Sequence, residues 1–151
     1  MRGWRSRVTA VPLAEIIPQA GAVLVLGGVR LALSLLPFAR VIALSERLSR
    51  PRQRRSRHVA PSIVARRVRR ATRLVPRATC LSQAITARLL LARGGRASQV
   101  RFGVMAPTGG SLDAHAWLEC DGEVVIGDVP DRPRYTPFPH LPLDDAARRE
   151  R

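Results

Sequence analysis

A chain of 151 residues, 46% of them hydrophobic, is the size of one domain and holds enough apolar residues to bury a core. Only 4% are aromatic, so that core has to be built mainly from Leu, Val, Ala and Ile, and no GxGxxG, GxxxxGK or CxxC signature supports a nucleotide or zinc site. All 26 basic residues are arginine and the net charge is +15, unevenly spread: residues 1–101 hold 21 Arg against Glu15 and Glu46 (+19), residues 102–151 hold 5 Arg against 9 acids (−4).

Such a field attracts nucleic acid, anionic lipid or acidic polypeptide without choosing among them, and a GC-rich genome explains an all-arginine set equally well. From Val11 to Leu48 apolar residues are dense. Leu31, Leu35, Ala39 and Ile42 fall near helical spacing, and Pro12, Pro18 and Pro37 are expected to bound two or three helices. The apolar run Ala20 to Ala39 is about long enough to cross a bilayer, but Arg30 interrupts it, with Gly27, Gly28 and Pro37, and the reading favours packed helices. Arg50 to Arg57 has five Arg among eight residues and Pro51, and is expected to be an exposed linker.

After Pro61, the residues Ile63, Val64, Val68 and Leu74 with arginines between them predict a basic amphipathic helix that Pro76 ends. Thr79 to Ala92 places Leu81, Ile85, Leu89 and Ala92 on one helical face, with Gly94-Gly95 as the stop, so Cys80 falls in the first turn. The period then changes. Val100, Phe102 and Val104 alternate as in a half-buried strand, Pro107 to Gly110 is a loop, and Ala114, Ala116 and Leu118 alternate with His115, Trp117 and Glu119. Asp121-Gly122 signals a hairpin turn, after which Val124, Val125 and Ile126 return. Helices followed by paired strands imply an α+β layout. The proline-rich tail from Pro130 to Pro142 is read as free of chemistry, with Tyr135 and Phe138 as anchors.

A thiol at a helix N-terminus is acidified by unpaired amides and the helix dipole, and those amides can hold an oxyanion, which makes Cys80 a candidate nucleophile. His115 lies on a strand, and a helix stacked on its face would bring it to Cys80 as general base. Asp128, at the end of the strand returning from the turn, can orient the imidazole. Asp121 is the rival, but an Asp before Gly in a tight turn already has a local job. Cys120 is read as a packing residue, and both cysteines as reduced and cytoplasmic. His58 and His140 lie in exposed segments. No cofactor or metal site is expected.

The order Cys at a helix start, His on a strand and Asp on the next strand resembles transglutaminase-like, papain-like cysteine peptidases. Within it, CLSQAITARLLLARGGRASQVRFGV followed by DAHAWLECDGEVVIGD is similar to the leader peptidases of lasso-peptide biosynthesis. That resemblance implies a Cys80, His115, Asp128 triad, removal of the leader from a ribosomally made precursor, and a partner cyclase that closes the macrolactam. Some members carry a leader-recognition domain on the same chain. Residues 1–60 here look helical and lack its strands, which implies a separate small leader-binding protein.

The expected organisation is therefore a helical, arginine-rich region, 1–60, serving as a docking face, and a peptidase core, 61–151. The docking partner is expected to be a protein, with peripheral contact at the membrane inner surface as the second option. Charge reversal at Arg52, Arg54, Arg55 and Arg57 tests it. Two other functions compete. One is another acyl transfer on the same fold, and the other an arginine-rich nucleic-acid module, which lacks the interleaved aromatics such a module uses.

Overall fold

The computed structural model describes residues 13–50, 59–105 and 112–138. Four helices precede a small sheet: α1 (Leu13–Leu35), α2 (Phe38–Leu48), α3 (Pro61–Thr72), α4 (Cys80–Arg93), then β1 (Gln99–Met105), β2 (Asp113–Cys120), β3 (Glu123–Ile126), a 3-10 turn (Arg132–Arg134) and β4 (Thr136–Pro137). The sheet is antiparallel in the order β3-β2-β1-β4. The α+β expectation holds, with two helices before residue 50. The Arg50–Arg57 linker, the 107–110 loop, His58 and His140 lie wholly or largely outside the described residues.

Local chemistry sets the helix bounds. Pro61 occupies the start of α3, where its missing N–H costs nothing, and α3 ends at Thr72, four residues before Pro76. Val64, Val68 and Ala71 are buried and the arginines face outward, whereas Leu74, beyond the helix end, is 68% exposed rather than part of the apolar face. Pro18 bounds no helix. It lies within α1, whose following turns are held by burial of Ala22, Leu26 and Val29 against α3 and α4.

Helix α4 is the centre of the molecule. Ala84, Ala87 and Leu91 join Val64, Val68, Leu118 and Ile126 in one apolar cluster. Ile85 joins Val29, Val41 and Ile42 from α1 and α2 in another. The first two helices thus share their apolar clusters with the elements that follow residue 60.

The opposite side of α1 is uncovered, with Ile17, Leu24, Leu31 and Leu35 between 59% and 76% exposed. The span Ile17–Leu35 is long and apolar enough to cross a membrane by length and composition. Arg30 within it is not stranded, since its Nε donates to the Arg77 carbonyl at 2.9 Å.

β1 pairs with β2 along its whole length, from Gln99 opposite Glu119 to Met105 opposite Asp113. Asp121 and Gly122, with φ of +54° and +82°, make the two-residue turn into β3, as expected for Asp-Gly.

Candidate active site

Cys80 is the first residue of α4 and is half-buried. Thr79 before it is the N-cap: its side chain accepts from the Ser82 N–H at 3.2 Å, and the Ser82 hydroxyl accepts from the Thr79 N–H at 2.9 Å. This reciprocal box takes up two of the orphan donors at the helix start. Among the described residues the amides of Cys80 and Leu81 have no such partner and stay available to an anion beside the thiol. Thr79→Ala is expected to cost about 1 kcal/mol, read as a lowered midpoint of thermal unfolding, because Ala leaves the Ser82 amide uncapped.

His115 lies near the N-terminal end of β2, half-buried. The expectation that a helix stacks on its face is corrected. Leu118 and Cys120 pack against α3 and α4, so by alternation His115, Trp117 and Glu119 occupy the other face of the strand. The continuously apolar side, Ala116, Leu118 and Cys120, is the one a helix can cover without burying imidazole or carboxylate. Even so, Cys80 and His115 line one cavity of about 310 Å³, because Cys80 is at the very tip of α4 and His115 near the end of its strand.

The imidazole is held from three sides. Its Nε2 lies 2.7 Å from the Gly127 carbonyl. A carbonyl oxygen can only accept, so Nε2 carries the proton and Nδ1 keeps the lone pair. The Trp117 ring stacks beside it at 6.3 Å and the Tyr135 ring is tilted against it at 5.4 Å. Tyr135 is itself buried and donates its hydroxyl to Asp113 at 2.6 Å. That hydrogen bond, then burial and the nearby charges of Asp113 and Asp131, push the phenol above its ordinary range.

Two glycines make this packing possible. A Cβ on Gly103 would lie 2.9 Å from Tyr135 Cβ and 3.0 Å from the Trp117 ring. Gly127 has φ of +82°, and a Cβ there would lie 2.7 Å from the Ala116 carbonyl oxygen.

Asp128 lies two residues beyond β3. Its carboxylate accepts from Arg132 Nε at 3.0 Å and is 62% exposed, while its neighbour Gly127 supplies the acceptor on His115. Asp121 accepts from Arg96 at 2.9 Å in the hairpin turn. Six residues along β2 separate it from His115, roughly 20 Å at about 3.3 Å per residue. Cys120 is 4% exposed and donates to the Ala97 carbonyl at 3.4 Å. Burial, then the adjacent Asp121 carboxylate, push its thiol up, which disfavours a thiolate at this position; both cysteines are free.

Trp117 donates to Glu119 at 2.8 Å and Arg101 donates to the same carboxylate at 3.1 Å. Burial pushes Glu119 up, but these two hydrogen bonds and the arginine charges outweigh it and hold the carboxyl below its usual range. A lowered folded-state value adds stability above the unfolded value of about 4.3, and that stability disappears as pH falls through the lowered value. Denaturant titrations between pH 7 and pH 3 should therefore show a stability loss in the wild type that Glu119→Gln lacks.

Sequence reasoning missed the Gly127 carbonyl, and it read Tyr135 and Phe138 as anchors without placing them at the site; Tyr135 is indeed buried, and it packs on His115. A backbone acceptor leaves no side-chain signal, though a glycine ending a strand beside Asp128 is a hint of close approach. Phe138, in the tail read as free of chemistry, lines the Cys80 cavity.

Residues 23–139 match the Transglutaminase-like superfamily. No curated protein and no solved structure matches the chain. The matched stretch takes in most of α1, all the later elements and every residue of the site just described, an α-helix led by cysteine against a small antiparallel sheet bearing histidine. This chain belongs to the transglutaminase-like superfamily, a fold of cysteine peptidases and acyltransferases.

Proposed function

We propose that the protein is a cysteine peptidase that removes the leader from a lasso-peptide precursor through a thioester on Cys80. The observation that supports acyl chemistry is that Cys80, at a capped helix start, and His115 line one cavity, and the resemblance of the CLSQAITARLLLA helix and the DAHAW strand to lasso leader peptidases supports the substrate. His115 Nδ1 takes the Cys80 proton, and the thiolate attacks the scissile carbonyl carbon. The amides of Cys80 and Leu81 hold the resulting oxyanion. The C–N bond then breaks and imidazolium gives its proton to the leaving amine. Water, deprotonated by His115, releases the leader as a carboxylate and restores the thiol.

Asp128, whose carboxylate is paired with Arg132, is the proposed third member of the triad, next to the Gly127 carbonyl that accepts from His115. Since that carbonyl already orients the ring, Asp128→Asn is expected to lower turnover only about 10-fold. An unchanged rate would leave orientation to Gly127 alone.

A separate leader-binding protein and a macrolactam cyclase are the proposed partners, with precursor delivered in the cytoplasm. The uncovered apolar side of α1 and the arginine excess support docking of a protein there. Mass spectrometry of a lasso-type precursor incubated with this protein and its leader-binding partner tests the reading. Cleavage at one bond by wild type and not by Cys80→Ala supports it. Amide crosslinking in place of hydrolysis moves the function to another acyl transfer, and no cleavage with salt-sensitive nucleic-acid binding moves it off acyl chemistry.

A further inference from the structure

The chain has three phenylalanines in 151 residues, and all three line the cavity that holds Cys80. They come from three distant segments: Phe38 opens α2, Phe102 is on β1, and Phe138 follows β4. Phe38 and Phe102 meet edge to face at 6.1 Å. Phe38 and Phe138 are 44% and 46% exposed, so two large rings stand at the opening with much of their surface in water. Between them the walls are Leu81, Ala114 and Ala116, and among the described residues no titratable side chain apart from His115 joins the thiol there.

Rings left half-exposed beside a nucleophile gain from being covered, and a wall of this chemistry can be covered only by apolar surface. About 310 Å³ is room for one large side chain together with the backbone that carries it. A charged side chain would lose its hydration here with no partner in exchange.

We infer that this cavity is a substrate subsite that takes a bulky apolar side chain flanking the scissile bond, and that Phe38, supplied by the N-terminal helices, sets its selectivity. The inference rests on the acyl-transfer reading of Cys80. It gives α2 a part in substrate choice distinct from docking, since Phe38 packs on β1 and reaches the chemistry directly.

The test uses the full-length protein and p-nitrophenyl esters of N-acetyl-Phe, N-acetyl-Leu, N-acetyl-Gly and N-acetyl-Asp, with the rate of Cys80→Ala subtracted. The Phe and Leu esters are expected to acylate Cys80 on the order of 10²-fold faster than Gly, with Asp slowest. Phe38→Ala should shrink the preference for Phe over Gly to a few-fold, acting on KM more than on kcat. Phe38→Leu, which keeps an apolar wall if Ala unfolds the helix pair, should shift the preference from Phe toward Leu. Cys80-dependent acylation with no apolar preference overturns the subsite and leaves the acyl-transfer reading standing. Equal rates for wild type and Cys80→Ala on every ester overturn both.

Discussion

Replacing Cys80 by alanine is expected to abolish precursor cleavage, a loss of about 10³-fold or more, while leaving the fold intact. The loss is large because the alternatives are poor. Cys120 is buried, bonded to a backbone carbonyl and raised in pKa, so no second thiolate can take over. The fold should survive because Cys80 belongs to none of the three apolar clusters, and alanine at the first position of α4 suits a helix. Thermal unfolding of Cys80→Ala should stay within about 0.5 kcal/mol of wild type, as for substitutions away from the core. A variant that loses activity together with stability would instead make Cys80 a structural residue.

Gly127→Ala is expected to destabilise the protein by about 2–4 kcal/mol and to cut activity about 10²-fold in the molecules that stay folded. Two costs coincide at this residue. Its φ of +82° is one that a side chain makes unfavourable, and the new Cβ would lie 2.7 Å from the Ala116 carbonyl and 2.9 Å from Trp117 Cα. Neither neighbour is a flexible side-chain tip, so the backbone itself has to shift. That backbone carries the carbonyl oxygen 2.7 Å from His115 Nε2. Any shift therefore releases the imidazole as it relieves the clash. Denaturant unfolding measures the first effect. The second is read from kcat per folded molecule, whose pH profile should also change because the ring tautomer is no longer fixed. If the variant is destabilised but its folded fraction turns over at the wild-type rate, the carbonyl has no part in positioning His115.

The elements nearest the chemistry were legible for physical reasons. The Thr79 to Ala92 run has a clear helical period with a glycine stop, and Asp121-Gly122 is a turn that few other conformations accommodate, so α4 and the β2–β3 hairpin fall where periodicity puts them. Alternation also separates His115 from Ala116. The same alternation marks Ala116, Leu118 and Cys120 as the side a helix covers; what it leaves out is that the tip of α4 brings Cys80 into a cavity shared with His115, which the packing of distant segments decides.

The support around His115 was hidden in a different way. It comes from a backbone carbonyl, and from Tyr135 in a proline-rich segment whose regular structure among the described residues is a 3-10 turn and the two-residue β4. Phe38 illustrates a third obstacle. Nothing in its local sequence points to Cys80, and only the packing of α2 beside β1 brings the ring to the cavity.

The thioester on Cys80 is best tested by acid-quenching the reaction of precursor with the enzyme and its leader-binding partner in the first turnovers, then weighing the intact protein and mapping any adduct. The account predicts a transient gain equal to the mass of the leader less one water, localised to the peptide that begins α4 and absent in Cys80→Ala. Cleavage that proceeds with no adduct at Cys80, or with the adduct on Cys120, would contradict it.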